Sequence, residues 1–68
     1  MRISARNQLR GEITNVSRGA SIANVEINVG GQRLVASITV EAVDDLGLEP
    51  GQSVHAVIKA SDVMVAVD

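Results

Sequence analysis

Apolar and polar residues alternate without a slip through Ala23-Asn24-Val25-Glu26-Ile27-Asn28-Val29, so this segment reads as a pleated strand with one apolar side and one wet side. Gly30-Gly31 follows at once, and the alternation resumes through Leu34, Ala36 and Ile38. That arrangement predicts a hairpin turned by two residues that tolerate positive φ. Upstream the pattern is weaker. From Gly11 to Ser17, Ile13 and Val16 are separated by polar Thr14 and Asn15, and the run closes on the turn-like Ser17-Arg18-Gly19. A first strand with indistinct ends is predicted there.

Downstream, Thr39 is placed to cap a short helix over Val40–Leu46, with Val43 and Leu46 on one side and Gly47 in the left-handed stop position. Glu49-Pro50-Gly51 reads as a turn. A fourth strand should then carry Val54, Ala56 and Ile58 on one face, and a fifth should carry Val63, Val65 and Val67. Five short strands with one helix between the third and fourth make an all-β fold in the order of a small OB-like Greek-key barrel. No repeat, linker or low-complexity segment divides the chain, so residues 1–68 are predicted to form one domain.

Size sharpens this picture. A chain of 68 residues buries only about 60% of the surface its unfolded form exposes. Small folds are commonly reinforced by disulfides, by a structural metal or by association. With no Cys and a single His, association is the route left open. Hydrophobic residues make up 46% of the chain and none is aromatic, so the core must be built from Val, Ile, Leu and Ala. No apolar run approaches the roughly 20 residues that span a bilayer. The N-terminus also lacks the basic-then-apolar pattern of a leader, so a cytoplasmic protein is predicted.

Eight acidic against six basic residues give a net charge of -2, which argues against bulk attraction to nucleic acid or to an anionic membrane. The lack of aromatic rings removes the stacking platforms on which OB modules hold single strands. Catalysis is disfavoured too, because no triad, metal cluster, paired acid and base or cofactor loop can be assembled. His55, the one imidazole, has no carboxylate close in sequence and is assigned no role. Glu41, Asp44 and Asp45 read as a solvated helix edge without calcium-loop spacing. Gly30-Gly31 lacks the Lys-Ser/Thr sequel of a phosphate loop and is a turn.

Two short polar stretches remain, Ser4-Ala5-Arg6-Asn7 and Lys59-Ala60-Ser61. Each has a plain reading, the first as a solvated lead-in to a strand and the second as a hairpin turn. Together they gather hydroxyls, an amide and two cations with no base-activated nucleophile, a set suited to holding an anion rather than transforming it. The opening Met-Arg-Ile-Ser-Ala-Arg-Asn-Gln-Leu-Arg-Gly and the closing Ala-Val-Ile-Lys-Ala-Ser-Asp-Val-Met-Val-Ala-Val resemble the Mop domain, the molybdate-binding unit of the molbindins. This resemblance runs nearly end to end.

What the resemblance implies is an intracellular protein that binds molybdate, or tungstate, for storage or homeostasis without catalysis. It also implies a homo-oligomer, a hexamer made as a trimer of dimers, in which Ser4, Ala5, Arg6 and Asn7 of one subunit and Lys59, Ala60 and Ser61 of its neighbour share the ion. A second site of the family corresponds to the turn around Gly19, Ala20 and Ser21. Here the chain departs from the family pattern, with Ser21 and Ile22 in inverted order and Asn24 where Glu is usual. The same unit also occurs appended to transporter ATPases and DNA-binding regulators, so a regulatory or assembly module is the alternative expectation, with a nucleic-acid-binding OB domain more remote.

Overall fold

The computed structural model describes all residues from Met1 to Asp68. Four strands, β1 (Asn7–Arg18), β2 (Ile22–Val29), β3 (Gln32–Thr39) and β4 (Ser53–Ile58), and one helix, α1 (Val40–Leu46), are followed by a single 3₁₀ turn at Ala60–Asp62. The strands form one antiparallel sheet in the order β3-β2-β1-β4.

The β2–β3 hairpin follows from its sequence. Val29 pairs with Gln32, leaving Gly30 and Gly31 as a two-residue loop with φ of 57° and 86°. This is the turn whose twist matches that of the strands. Asn28 supports it by accepting the Gly31 N–H on its side-chain oxygen at 2.9 Å.

α1 is capped at both ends by the predicted residues. The Thr39 hydroxyl accepts the Ala42 N–H at 3.0 Å. At the other end Gly47 sits at φ 62°, and the Gly47 and Leu48 N–H groups return to the carbonyls of Asp44 and Val43 at 3.2 and 3.1 Å. This is the paired bonding of a Schellman stop, with Leu48 packed against the core beyond it. Val43, fully buried, anchors the helix among Ile13, Ala23, Val25, Ile27 and Ala56.

β1 organises the rest. Residues 12–18 pair with β2 while residues 7–12 pair with β4, so one strand serves two partners. The register with β2 slips at Thr14: Ile13 lies opposite Ile27 and Asn15 opposite Glu26, leaving Thr14 as the extra residue of a β-bulge. Its hydroxyl donates to the Glu26 carbonyl at 3.3 Å. The bulge returns Val16 to the buried side and explains the broken alternation in this run. Near the change of partner sits Gly11. A Cβ built there would lie 2.6 Å from the Ile27 Cγ2 and 2.7 Å from the Asn28 carbonyl oxygen, so only glycine permits this approach of β1 to β2.

Two expectations are corrected. The first strand begins at Asn7 and not near Gly11, because Gln8, Leu9 and Arg10 pair with β4, a partner some fifty residues away that local pattern does not reveal. The fifth strand is absent. Val63–Asp68 carry no strand pairing, and Met64, Val65 and Val67 are about nine-tenths exposed. A pattern of alternate valines makes a segment able to pair, but a strand also requires an edge to pair with. Four strands therefore form an open sheet rather than a closed barrel, with an apolar trough of about 710 Å³ between the unpaired edges of β3 and β4.

Candidate oxyanion site

The β1–β4 register fixes where the two polar stretches go. Asn7 lies directly opposite Ile58, so residues 4–6, leading into β1, and residues 59–61, leaving β4, emerge at the same end of the sheet. A single chain thus brings together two stretches separated by more than fifty residues in sequence. The Asn7 side-chain N–H donates to the Ile58 carbonyl at 3.2 Å across this junction. One of its two amide donors is therefore spent on the fold.

Ala5 is buried at 6% exposure, and its carbonyl accepts the Gln8 side-chain amide at 3.4 Å, which pins the lead-in. Ser4 and Arg6 on either side are exposed. Neither side chain makes a hydrogen bond or ion pair, and the N–H groups of residues 4–6 belong to no ladder. In the 3₁₀ turn, Asp62 donates to the Lys59 carbonyl at 2.9 Å and Val63 to the Ala60 carbonyl at 3.3 Å. The N–H groups of Ala60 and Ser61 consequently have no acceptor within the turn. Lys59, Ala60 and Ser61 are all exposed, and the Lys59 ammonium and Ser61 hydroxyl are likewise uncommitted. Of the chain's cations, Arg18 is paired with Asp44 at 2.8 Å and Arg33 with Glu26, whereas Arg6 and Lys59 are free at this end.

The arrangement is a cluster of hydroxyl, backbone and cationic donors, with the exposed carboxylate of Asp62 closing the same 3₁₀ turn. Such a cluster can satisfy several oxygens of a tetrahedral anion, and a dianion draws stronger hydrogen bonds than a neutral acceptor. No group of three His, Cys, Asp or Glu side chains converges as a cation site.

The turn expected to form a second site lies beside the start of α1. The Gly19 N–H is engaged with the Ile22 carbonyl at 2.8 Å, and the Ser21 carbonyl accepts the Val40 N–H at 2.9 Å, tying this turn to the start of α1. Ala20 and Ser21 share a shallow depression with Thr39, Val40, Glu41, Asp44 and Asp45. Of the three carboxylates here, Asp44 is paired with Arg18 at 2.8 Å. Glycine is required here for a steric reason, since a Cβ on Gly19 would stand 2.9 Å from the Ile22 carbonyl oxygen.

Pattern reading missed Gln8 and Gly11. Gln8 holds Ala5, and Gly11 allows β1 to leave β2 for β4 and carry residues 4–7 to the site. The available signal was a glycine inside a strand-like run, a mark of close backbone approach.

Against this geometry, the sequence profile of the TOBE domain family matches residues 3–65. The chain belongs to the TOBE family, as a domain of the molbindin type. It is 44% identical, over the whole of both chains, to a probable molybdenum-pterin-binding protein of Haemophilus influenzae. Its fold is that of a molybdate-binding protein from Sporomusa ovata, with a TM-score of 0.95 and 37% identity over 98% of this chain and all of that one. It also matches the cytoplasmic molybdate-binding protein ModG, solved with molybdate bound, at a TM-score of 0.90 and 46% identity over 94% of this chain and 46% of that one. The chain itself has an open four-stranded sheet and one short helix, and that helix is not long and apolar enough to cross a membrane.

Proposed function

We propose that this chain binds molybdate reversibly and without catalysis, as a cytoplasmic storage or homeostasis protein. The observation that carries the reading is the convergence of uncommitted donors at one end of the sheet: Ser4 and Arg6 from the lead-in to β1, and Lys59, Ala60 and Ser61 after β4. Relatives whose names record molybdate or molybdenum binding support the choice of ion. Tungstate shares its charge and shape and fits the same donors.

Each ion is shared in this reading between Ser4, Ala5, Arg6 and Asn7 of one copy and Lys59, Ala60 and Ser61 of a neighbour, in a homo-oligomer built as a trimer of dimers, so that the sheet end where each copy gathers both stretches is the end that meets the neighbour. Sharing is supported by exposure. Most of these residues lie on the surface, where a single chain can enclose an ion on one side only. Lys59 and Arg6 supply charge, Ser4 and Ser61 hydroxyl donors, Ala60 an exposed small side chain beside its backbone N–H, Asn7 its remaining amide hydrogen, and Ala5 the buried anchor of the lead-in.

Native mass spectrometry and calorimetry with molybdate, using sulfate as control anion, test the reading. One charge-assisted hydrogen bond contributes about 1.5–3 kcal/mol. At an exposed position the lower end applies, so Lys59→Ala should weaken molybdate binding by about tenfold, with Lys59→Arg retaining most of it. Unchanged affinity in Lys59→Ala would remove these residues from the site, and equal uptake of sulfate and molybdate would remove the specificity.

A further inference from the structure

All peptide bonds in the chain are trans. In a planar trans peptide the C=O of one residue and the N–H of the next point in opposite directions, so a bond that holds the carbonyl also aims the N–H. In the 3₁₀ turn the Asp62 N–H holds the Lys59 carbonyl at 2.9 Å, and the Val63 N–H holds the Ala60 carbonyl at 3.3 Å. These two bonds turn the N–H groups of Ala60 and Ser61 the other way. At the end of β4 the Asn7 side-chain N–H holds the Ile58 carbonyl at 3.2 Å. The Lys59 N–H, which has no backbone acceptor in the chain, is thereby turned away from Asn7.

The lead-in to β1 has no such turn. Residues 4–6 precede the ladder, so backbone pairing does nothing to orient the Ala5–Arg6 peptide. Gln8 takes that part. Its side-chain N–H reaches back three residues to the Ala5 carbonyl at 3.4 Å, and the Arg6 N–H, also without a backbone acceptor, then points away from Gln8. Both ends of this tether are fixed, Gln8 by its pairing opposite Val57 and Ala5 by burial. The tether spans only three residues and its donor side chain is exposed, so it adds little to the core. Its effect falls on one peptide unit, and that unit carries a donor of the candidate site.

We propose that Gln8 is a positioning residue of the oxyanion site: it touches no ion, but by tying back the Ala5 carbonyl it sets the Arg6 N–H outward as a donor. The proposal rests on the anion reading above and adds to it a residue outside the set that meets the ion. The carbonyl matters as much as the N–H. An Ala5–Arg6 peptide free to turn over would present an acceptor to the anion in place of a donor. Tied back, the peptide is ordered before the ion arrives, so its conformational entropy is lost on folding and not on binding.

The test compares the full-length parent with Gln8→Met, which keeps an unbranched side chain of similar length and removes the donor. Calorimetry with molybdate gives the affinity, and ¹H–¹⁵N spectra with and without molybdate show which N–H groups bond the ion. In the parent the amides of Arg6, Ala60 and Ser61 are expected to shift on saturation. In Gln8→Met, molybdate should bind about fivefold more weakly, the equivalent of one net neutral hydrogen bond. At saturation the Arg6 shift should be largely lost, with those of Ala60 and Ser61 kept. Parent-like affinity with the Arg6 shift intact would overturn the proposal, as would a weakening that diminishes all three shifts alike. If Gln8→Met fails to fold, Gln8→Glu, equal in length and at neutral pH also without a donor, is read in the same way from the Arg6 amide. A parent that takes up no molybdate would refute the anion reading and this proposal with it, whereas normal binding by Gln8→Met would refute the proposal alone.

Discussion

Gly11→Ala is the most incisive perturbation of this fold, because it adds one methyl group at the point where β1 passes from β2 to β4. The new Cβ would meet the Ile27 Cγ2 at 2.6 Å, the Asn28 carbonyl oxygen at 2.7 Å and the Val29 Cγ2 at 3.0 Å. Side chains can turn aside, but the carbonyl belongs to the β2 backbone and moves only with the strand. Overpacking of this kind costs about 1–3 kcal/mol. Replacing glycine also restricts the unfolded chain, which returns about 0.4–1 kcal/mol. The steric term wins, leaving a net loss of about 1–2 kcal/mol, or roughly 5–15 °C in Tm for a domain of this size. Circular dichroism melts at one fixed chain concentration would measure it, the concentration being held because association shifts Tm by mass action. Gly30→Asn is the control. Gly30 has φ 57° and no neighbour within 4 Å of a Cβ, and Asn tolerates that conformation, so its melt should move little. A Gly11→Ala protein that melts at or above the parent temperature would refute the argument that glycine is held there by the approach of β2. Displacement of β1 should also disturb residues 4–7, so the same variant is expected to bind molybdate more weakly.

Further outcomes follow from single contacts. Thr39→Ala removes the acceptor of the Ala42 N–H and should cost about 1 kcal/mol, with Thr39→Ser close to the parent in a urea titration. Val43→Ala opens a cavity beneath the helix at a fully buried position and should cost about 2–3 kcal/mol, the largest loss among these substitutions. Arg33→Ala breaks an exposed pair with Glu26 and should change stability by less than about 1 kcal/mol. Deletion of Thr14 should leave the Ile13–Ile27 and Val16–Val25 pairings intact, read from amide chemical shifts, since Thr14 is the residue without an opposite number. A slipped register after that deletion would contradict its assignment as a bulge.

The hairpin and the helix were legible because their determinants are local. Gly30-Gly31 between alternating runs names its turn, and Thr39 and Gly47 bracket α1 with the donors and φ values that helix ends require. β1 was legible only in part. Thr14 breaks the period-two pattern, so a strand that is continuous in space reads as irregular in sequence. Its first half is defined by β4, whose pairing lies far along the chain. The last segment fails in the opposite sense: Val63, Val65 and Val67 carry a sound strand pattern, but pairing is a property of two edges and the single chain offers no free place that its own tail occupies. The site shows the same division. Residue chemistry singled out Ser4, Arg6, Lys59 and Ser61, whereas their placement at one sheet end comes from the Asn7–Ile58 register, and the partial commitment of Asn7 to the Ile58 carbonyl is visible only in space.

The double service of β1 bears on the order of events at the ribosome. Asn7 is made 51 residues before its partner Ile58, so the strand's first half waits through the synthesis of β2, β3 and α1. The β2–β3 hairpin can close as soon as it emerges, and it offers the second half of β1 an early neighbour. The site end cannot form until β4 is released. Its donors are therefore the last part of the sheet to be drawn together, which ties their convergence to the synthesis of β4.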